Sequence, residues 1–210
     1  MTINMTSDLK KNKITGLILA GGRARRMNGI DKGLINFNGK LLIEHCIAKL
    51  QPQVDQLLIS ANRNIEHYSR YGFTVLEDNF GDFEGPLAGL LRALEISKNN
   101  PVLVVPCDAP LLPAELANRL LESYVESETS AVIPHDGIRL QTLFGLYSRD
   151  AISSLTEYLA SGQRKVENWA STLPHIVVDF SDDKESFMNI NTEYDLQTAQ
   201  SIIDGARIIK

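Results

Sequence analysis

Cationic side chains are concentrated near the start of the chain, where ten consecutive residues contain Arg23, Arg25, Arg26 and Lys32. They follow an apolar run and the pair Gly21-Gly22. Paired glycines let a backbone turn tightly and bring its amide N–H groups close to an anion. Arginine supplies forked donors that match phosphate oxygens, and lysine adds a mobile point charge. The segment therefore predicts a loop that binds phosphate, within a chain whose net charge is −5.

Two common phosphate-binding motifs do not fit this loop. A Walker A motif has a glycine directly before its lysine, whereas here Asp31 precedes Lys32. The dinucleotide fingerprint has its second glycine at the position where Arg23 stands. The pattern that remains is L-A-G-G-x-A-R-R-M-x-x-x-D-K.

Two carboxylates follow apolar runs further along the chain. Asp108 comes directly after "PVLVVPC", between Pro106 and Pro110. If that run is a strand that ends on the same sheet edge as the cationic loop, Asp108 can hold Mg²⁺ against triphosphate oxygens. An aspartate that caps a turn is the alternative. Asp78, in "LEDNF", ends another apolar run, where turn chemistry alone explains an aspartate.

Short apolar runs alternate with helical patterns along the chain. Strands are predicted for "TGLILA", "VDQLLIS", "FTVLE" and "VLVV". Helices are predicted over residues 41–51, 65–71, 86–97 and 113–125, with Pro86 and Pro113 in the first turns of the last two. Nearly continuous apolar strands that alternate with helices predict an α/β fold, with a doubly wound, mostly parallel sheet and helices on both faces.

In such a sheet, ligands bind beyond the carboxyl ends of the strands, where the strand order switches. The cationic loop leaves the first predicted strand at that end. After residue 130 the pattern is less regular, with strands predicted for "AVIP", "LQTLFGLYS" and "HIVVDF" and a last helix over residues 192–203. The polar residues 1–13 are expected to be a disordered extension, and residues 14–210 to form a single domain.

The composition limits the kinds of partner. With 43% hydrophobic and 22% charged residues, the 210-residue chain has an ordinary globular composition. Its net negative charge argues against nucleic acid or an anionic membrane as a partner, because these bind broad basic faces. The absence of a secretory h-region and of an apolar run of about 18 residues predicts a cytoplasmic protein. Cys46 and Cys107 have no metal or redox spacing and are expected to be buried, reduced thiols.

The cationic loop resembles the signature segment of nucleotidyltransferases that transfer a nucleoside monophosphate from a triphosphate. Within that superfamily it is most similar to the molybdenum cofactor guanylyltransferase family. The resemblance covers nearly the whole chain, through "GLILAGGRARRMNGIDKGLINFNGK", "SANRN", "VLEDNFGDFEGPLAGLL", "VPCDAPLLP" and "VDFSDDKESFMNINTEYDL". It implies a Rossmann-like nucleotidyltransferase fold and a Mg²⁺-dependent transfer of GMP from GTP to the phosphate of Mo-molybdopterin, with release of pyrophosphate.

The resemblance also implies roles for individual residues. Lys32 is placed at the α-phosphate and Asp108 on Mg²⁺, and Arg26 joins them in catalysis. Asp78 is implied to read guanine, because one carboxylate can accept both the N1–H and the exocyclic amine of that base. The implied nucleotide-binding residues are Leu19, Ala20, Gly21, Gly22, Arg25, Lys32, Asp78, Gly85, Pro86 and Asp108.

The segment "NIN" near the end of the chain is implied to lie on the molybdopterin side of the site. It contains Asn189 and Asn191, and Asn191 is a further candidate for the metal shell. The following Thr192 and Glu193 also suit an ordinary helix start, which is the alternative explanation of this segment.

Several alternatives stay open. The family usually carries Asn where this chain has Ser60, so either Asn62 or a bridging water is a candidate for that nucleotide contact. A related enzyme that uses CTP or a sugar-phosphate acceptor, or a nucleotide-sensing protein without catalysis, is the competing function. Transient contact with molybdoenzymes or their chaperones is an expected partnership. A solvated turn, rather than a second metal site, is expected for the cluster Asp179, Asp182 and Asp183.

Overall fold

The computed structural model describes residues 13–20, 31–77, 85–127 and 129–208. Within them, the strands are β1 (Thr15–Leu19), β2 (Asn36–Phe37), β3 (Lys40–Leu41), β4 (Gln56–Ser60), β5 (Thr74–Leu76), β6 (Val102–Pro106), β7 (Ala131–His135), β8 (Leu146–Tyr147) and β9 (His175–Asp179). The helices are α1 (Leu42–Leu50), α2 (Ile65–Ser69), α3 (Pro86–Ile96), α4 (Leu116–Val125), α5 (Ile152–Ala160), α6 (Val166–Ala170) and α7 (Glu193–Ile208). The extension that was predicted to be disordered, residues 1–13, lies outside these ranges except for residue 13.

A central sheet has the strand order β5-β4-β1-β6-β8-β7-β9. β1 pairs in parallel with β4 and β6, and β4 pairs in parallel with β5. β8 runs antiparallel to β6 and β7, whereas β7 and β9 are parallel. The chain therefore winds outward from β1 to β5 and then returns to place β6 on the other side of β1. The predicted doubly wound, mostly parallel α/β fold is confirmed.

Side chains of the central strands alternate between the two faces of the sheet and so contribute to two cores. On one face, Ile18, Ile59 and Val105 pack with residues of α1, α2 and α4. On the other face, Leu17 and Val104 pack with residues of α3, α5 and α6. A third, smaller cluster packs the β2–β3 hairpin and α7 against the start of α1. Helices therefore cover both faces, as the apolar strands predicted.

The segment "LQTLFGLYS" is not the strand that its apolar residues predicted. Leu146–Tyr147 is the only strand within it, Leu140 forms an isolated bridge with His135, and Thr142–Phe144 is a 3₁₀ turn. The Tyr147 hydroxyl donates to the Thr142 carbonyl at 2.7 Å, so the segment folds back on itself before β8 begins. The apolar side chains are buried by this turn rather than by an extended strand.

Some helix boundaries also differ from expectation. α4 begins at Leu116, and Pro113 precedes the helix rather than standing in its first turn. α7 extends to Ile208, beyond the expected end near residue 203. Two further helices, α5 and α6, were not predicted from the sequence. In the described part of the chain, none of the helices has the length and hydropathy that a membrane span requires.

Candidate active site

The carboxyl ends of β1 and β6 lie side by side, where the strand order of the sheet reverses. Cross-strand hydrogen bonds hold the backbone there. The Cys107 amide donates to the Leu19 carbonyl at 3.1 Å, and the Ala20 amide donates to the Ser60 carbonyl at 2.8 Å. Doubly wound sheets bind ligands at this position, and Leu19 and Ala20 lie there. Their role in nucleotide binding stays a prediction.

Three polar side chains from distant parts of the chain meet at this edge. Lys32 Nζ donates to Asp108 Oδ2 at 2.8 Å and to Asn191 Oδ1 at 2.5 Å. The side chain of Lys32 is 29% exposed and that of Asp108 is 10% exposed. A cation and a carboxylate that water and small solutes can reach provide the charges that phosphoryl-group chemistry requires.

The segment before α7 is fixed against the end of β6. The Ile190 amide donates to the Asp108 carbonyl at 2.8 Å. The Asp195 carboxylate accepts from the amides of Asn191 and Thr192, each at 2.8 Å, and the Thr192 hydroxyl accepts from the Asp195 amide at 3.2 Å. This reciprocal arrangement caps α7. The segment therefore forms a helix start and also belongs to the polar cluster, since Thr192 caps α7 while Asn191 contacts Lys32.

Lys32 stands on a short 3₁₀ turn, Lys32–Leu34, that Asp31 caps. Asp31 is 7% exposed, and its Oδ1 accepts from the Tyr68 hydroxyl at 2.7 Å and from the Gly33 amide at 3.2 Å. Its Oδ2 accepts from Asn64 Nδ2 at 3.0 Å. A buried carboxylate needs such donors to offset its lost hydration. The sequence alone predicts no role for Tyr68 or Asn64, although Asp31 stands in the loop pattern quoted above.

The start of α3 lies close to the ends of β1 and β4. Gly85 precedes the helix with φ +82°, a conformation that favours glycine, and Pro86 occupies its first turn. A Cβ added at Gly89 would overlap the Ser60 hydroxyl and lie 3.2 Å from Leu19 Cδ2. Ser60 is 3% exposed, so its side chain is buried against α3. Gly85 and Pro86 are therefore held near the ligand-binding edge by close packing.

Other predicted site residues lie outside the described ranges. This group comprises the glycine pair, the loop arginines and the proposed base-reading carboxylate: Gly21, Gly22, Arg23, Arg25, Arg26 and Asp78. Their roles stay predictions. Asn189 lies in the described part, half-buried beside the polar cluster, and its Oδ1 has no hydrogen-bond partner among the described residues.

Asp108 and Asn191 offer oxygen ligands of the kind that Mg²⁺ takes. Their oxygens already lie on either side of one cation, the Lys32 ammonium. Among the residues that the structure describes, no group of three or more His, Cys, Asp or Glu side chains could hold a metal ion. Asp108 and Asn191 by themselves would fit an ion that takes one or two ligands from the protein and the rest from substrate phosphates and water, as Mg²⁺ commonly does.

The acidic cluster before α7 is a surface turn, as the sequence predicted. Asp182 pairs with Arg119 at 3.0 Å, and this hydrogen bond lowers the pKa of Asp182. The Asp179 carboxylate accepts from the Ser181 amide at 2.9 Å, which lowers the pKa of Asp179. Both carboxylates are exposed; the Asp179 contact is local, whereas the Asp182 contact joins this segment to Arg119 of α4.

The two cysteines are free and buried, which confirms the expectation from their spacing. Cys46 Sγ donates to the carbonyl of Cys107 at 3.3 Å and to that of Ala109 at 3.4 Å. Burial raises the pKa of Cys46 to about 12, so its thiol stays protonated. Both side chains belong to the core beneath the site rather than to its chemistry.

Known proteins are similar to this chain in sequence and in architecture. The family described as MobA-like NTP transferase domain matches residues 16–176. The molybdenum cofactor guanylyltransferase of Shewanella sp. (strain MR-4) is 43% identical over 180 residues, which cover 86% of this chain and 91% of the relative. That of Pasteurella multocida (strain Pm70) is 41% identical over 184 residues, which cover 88% of this chain and 97% of the relative. The chain belongs to the molybdenum cofactor guanylyltransferase family.

A solved structure of similar architecture supports the same assignment. Molybdopterin-guanine dinucleotide biosynthesis protein A from Archaeoglobus fulgidus matches with a TM-score of 0.78 and 26% identity, over 91% of this chain and 99% of that protein. The Rossmann-like nucleotidyltransferase fold and the nucleotidyltransferase class of enzyme, both implied by the sequence resemblance, are confirmed.

Proposed function

We propose that this enzyme transfers GMP from GTP to the phosphate of Mo-molybdopterin and releases pyrophosphate. The observation that carries the proposal is the meeting of Lys32, Asp108 and Asn191 at the switch point of the sheet. The relatives are named molybdenum cofactor guanylyltransferases, and the proposed substrates are inferred from that name.

The reaction needs no covalent intermediate on the enzyme, because the acceptor phosphate is itself a nucleophile. One of its oxygens forms a bond to the α-phosphorus of GTP while the bond from that phosphorus to the bridging oxygen of pyrophosphate breaks. The protein then contributes mainly by positioning and by stabilising charge. Lys32 is proposed to exchange its contact with Asp108 for an α-phosphate oxygen, where negative charge increases in the transition state.

Magnesium is part of the proposal, with Asp108 as its ligand and Asn191 as a second candidate. When bound, the ion would offset the charge that builds on the leaving pyrophosphate. Asp108 is suited to this role because its carboxylate is largely shielded yet reachable, and because the Ile190 amide and the end of β6 fix its backbone. Arg25, Arg26 and the amides of the preceding loop are proposed to hold the β- and γ-phosphates.

Other residues are proposed to bind the guanine and pterin ends of the substrates. Asp78 is proposed to read the base, and Leu19 with Gly85 and Pro86 to shape the slot beside it. On the pterin side, Asn189 has a buried amide oxygen that bonds to no other group in the described part of the chain. Because an unpaired buried acceptor is costly, a donor on the bound substrate would stabilise it.

Contact with molybdoenzymes or their chaperones and a cytoplasmic location are further parts of the proposal.

The alternative nucleotide substrate is CTP in place of GTP. The deciding experiment is a binding screen of GTP, ATP, CTP and UTP with and without Mg²⁺, followed by pyrophosphate release with Mo-molybdopterin. We expect magnesium-dependent binding of GTP and formation of the guanine dinucleotide. Preference for CTP, or release of pyrophosphate only with a sugar phosphate, would contradict the proposal.

The same assay tests the metal ligand. Asp108→Asn keeps the size of the side chain but removes its charge, so turnover should fall by on the order of 10³-fold or more and GTP binding should lose its magnesium dependence. Asp150→Asn is the matched control, since Asp150 is exposed and follows β8 at the opposite edge of the sheet. A mutant at Asp108 that keeps wild-type rate and magnesium dependence would remove this residue from the mechanism.

A further inference from the structure

The Asp31 carboxylate joins two chain segments beneath the site. It caps the 3₁₀ turn that carries Lys32, through the Gly33 amide at 3.2 Å. It also accepts from the Tyr68 hydroxyl at 2.7 Å, within α2, and from Asn64 Nδ2 at 3.0 Å, at the residue that precedes α2. A short bond to a charged acceptor is among the stronger hydrogen bonds in proteins. The turn is thereby tied to α2, which the sequence places 37 residues away.

Tyr68 is a rigid anchor for this contact. Its side chain is fully buried in the core that also contains Ile18, Ile59 and Val105. Burial raises the pKa of Tyr68 well above its usual range, and the neighbouring Cys107 and Asp31 add to this effect, so the hydroxyl remains a donor. A buried ring in a close-packed core has little freedom to move.

The turn has little room to move toward that anchor. A Cβ added at Gly33 would lie 2.6 Å from the Tyr68 hydroxyl, so glycine is the residue that lets the two segments approach. The Leu34 amide bonds to the Asp31 carbonyl at 3.0 Å, and the Ile35 amide bonds to the Lys32 carbonyl at 3.2 Å. The backbone of Lys32 is therefore held from both sides, while its ammonium extends to the polar cluster.

We propose that Asp31 and Tyr68 are positioning residues that set where the Lys32 ammonium stands for the reaction. They contact no substrate themselves and act through Lys32, the neighbour of Asp31 in the chain. The inference rests on the proposed role of Lys32 at the α-phosphate. It goes beyond that role, because it makes a hydroxyl buried under the sheet edge a determinant of turnover. Its physical basis is that a displacement of about 1 Å at a reacting group costs up to about 100-fold in rate.

Tyr68→Phe tests the inference, since it removes the hydroxyl and keeps the ring. We expect kcat for pyrophosphate release to fall between about 10- and 100-fold. The KM for GTP should change less than about threefold, because Lys32 is already paired with Asp108 in the free enzyme and is proposed to act mainly in the transition state. Tyr71→Phe is the matched control: Tyr71 lies three residues further along the chain, and its hydroxyl bonds to Glu44 rather than to Asp31. Its kcat should stay near that of the wild type.

A double-mutant cycle separates positioning from a general effect on folding. If Tyr68 acts through Lys32, then Tyr68→Phe should change kcat by less than about twofold in a Lys32→Ala background. If the two losses multiply, or if Tyr68→Phe matches the wild type, the inference is wrong.

Crystal structures of the wild type and of Tyr68→Phe provide a readout that does not depend on activity. We expect Lys32 Nζ to move by about 1 Å or more and to leave Asp108 in the variant. An unmoved Lys32 would overturn the inference. If the wild type forms no guanine dinucleotide, the proposed function fails while this structural comparison still decides the positioning role.

Discussion

At the scale of single residues, the ion pair of Lys32 with Asp108 is suited to be broken during the reaction. Partly exposed ion pairs contribute only about 0–1 kcal/mol to stability, so exchange for a phosphate oxygen costs little. The Asn191 oxygen shares the same ammonium, which keeps Lys32 at the edge of the sheet rather than free in solvent. The free enzyme thus holds the cation close to the position where charge develops.

This arrangement predicts that Lys32→Ala affects turnover more than binding. In the free enzyme Lys32 is already paired with Asp108, so binding of GTP gains little from its charge. In the transition state its loss should cost about 100-fold or more in kcat. Lys40→Ala, an exposed lysine of the neighbouring hairpin, is the control. Kd for GTP and kcat for pyrophosphate release are the measurements, and equal losses in both would make Lys32 a ground-state anchor only.

The residues of the polar cluster could be named from the sequence, but their support could not. Asp108 follows an apolar run, and parallel strands end on one edge, so Asp108 was expected near the loop that carries Lys32. The contact of Asp31 with Tyr68 depends on where α2 packs on the sheet, and no motif joins the two. Asn191 was inferred only from the resemblance to the family. Its place beside Lys32 depends on the path of the chain after β9, which local sequence patterns do not predict.

At the scale of elements, close packing of α3 on the strand ends shapes the nucleotide side of the site. Gly89 allows this approach, because its missing Cβ leaves space for Ser60 and Leu19. The prediction of α3 from its apolar spacing was correct, whereas "LQTLFGLYS" was predicted wrongly. An apolar run of that length fits either a strand or a buried turn, and the bond from Tyr147 to the Thr142 carbonyl is a tertiary contact that periodicity does not report.

Gly89→Ala should therefore destabilise the protein, although alanine is favoured over glycine in helices by about 1 kcal/mol. The added methyl would overlap the Ser60 hydroxyl and lie 2.9 Å from Ser60 Cβ, and such overpacking costs about 1–3 kcal/mol. A shift of α3 would also move Gly85 and Pro86, so the KM for GTP should rise. Thermal unfolding and GTP titration are the measurements.

Gly205→Ala is the matched control for this substitution. Gly205 lies in α7, where an added Cβ meets nothing within 4 Å, so this variant should be stabilised by about 0.5–1 kcal/mol. Ser60→Gly should restore part of the stability of Gly89→Ala, because it removes Ser60 Oγ and Cβ, the two nearest of the three atoms that the methyl meets. An increase in stability for Gly89→Ala alone would show that the space above Ser60 is larger than the structure indicates.

At the scale of the whole molecule, one sheet separates two cores that share its strands. Leu17 and Ile18 are neighbours in β1, yet they belong to opposite cores. Neither core can be exposed without loss of the strands that form the other. That residues 14–210 fold as a single domain stays a prediction, made from length and from the lack of a linker.

The two cores carry separate natural probes, so the single-domain prediction can be tested directly. Trp169, the single tryptophan of the chain, is fully buried on the face covered by α3, α5 and α6. Cys46 is fully buried on the opposite face. In a Cys107→Ala variant, Cys46 is the only thiol, and its reaction with an aromatic disulfide reagent reports exposure of that face. Because unfolding returns the thiol pKa from about 12 toward about 8.5, reactivity should rise sharply on exposure.

We expect the two probes to give the same urea midpoint, since small single domains unfold cooperatively and the shared strands couple the two faces. Trp169 fluorescence and the thiol reacted in a brief pulse would be measured on the same samples, with far-UV circular dichroism as the reference for the sheet and helices. The wild type, followed by fluorescence and circular dichroism, controls for any effect of Cys107→Ala. Thiol exposure at clearly lower urea than the loss of tryptophan fluorescence would show two separable units, with the Lys32 turn, Asp31 and Tyr68 in the less stable one.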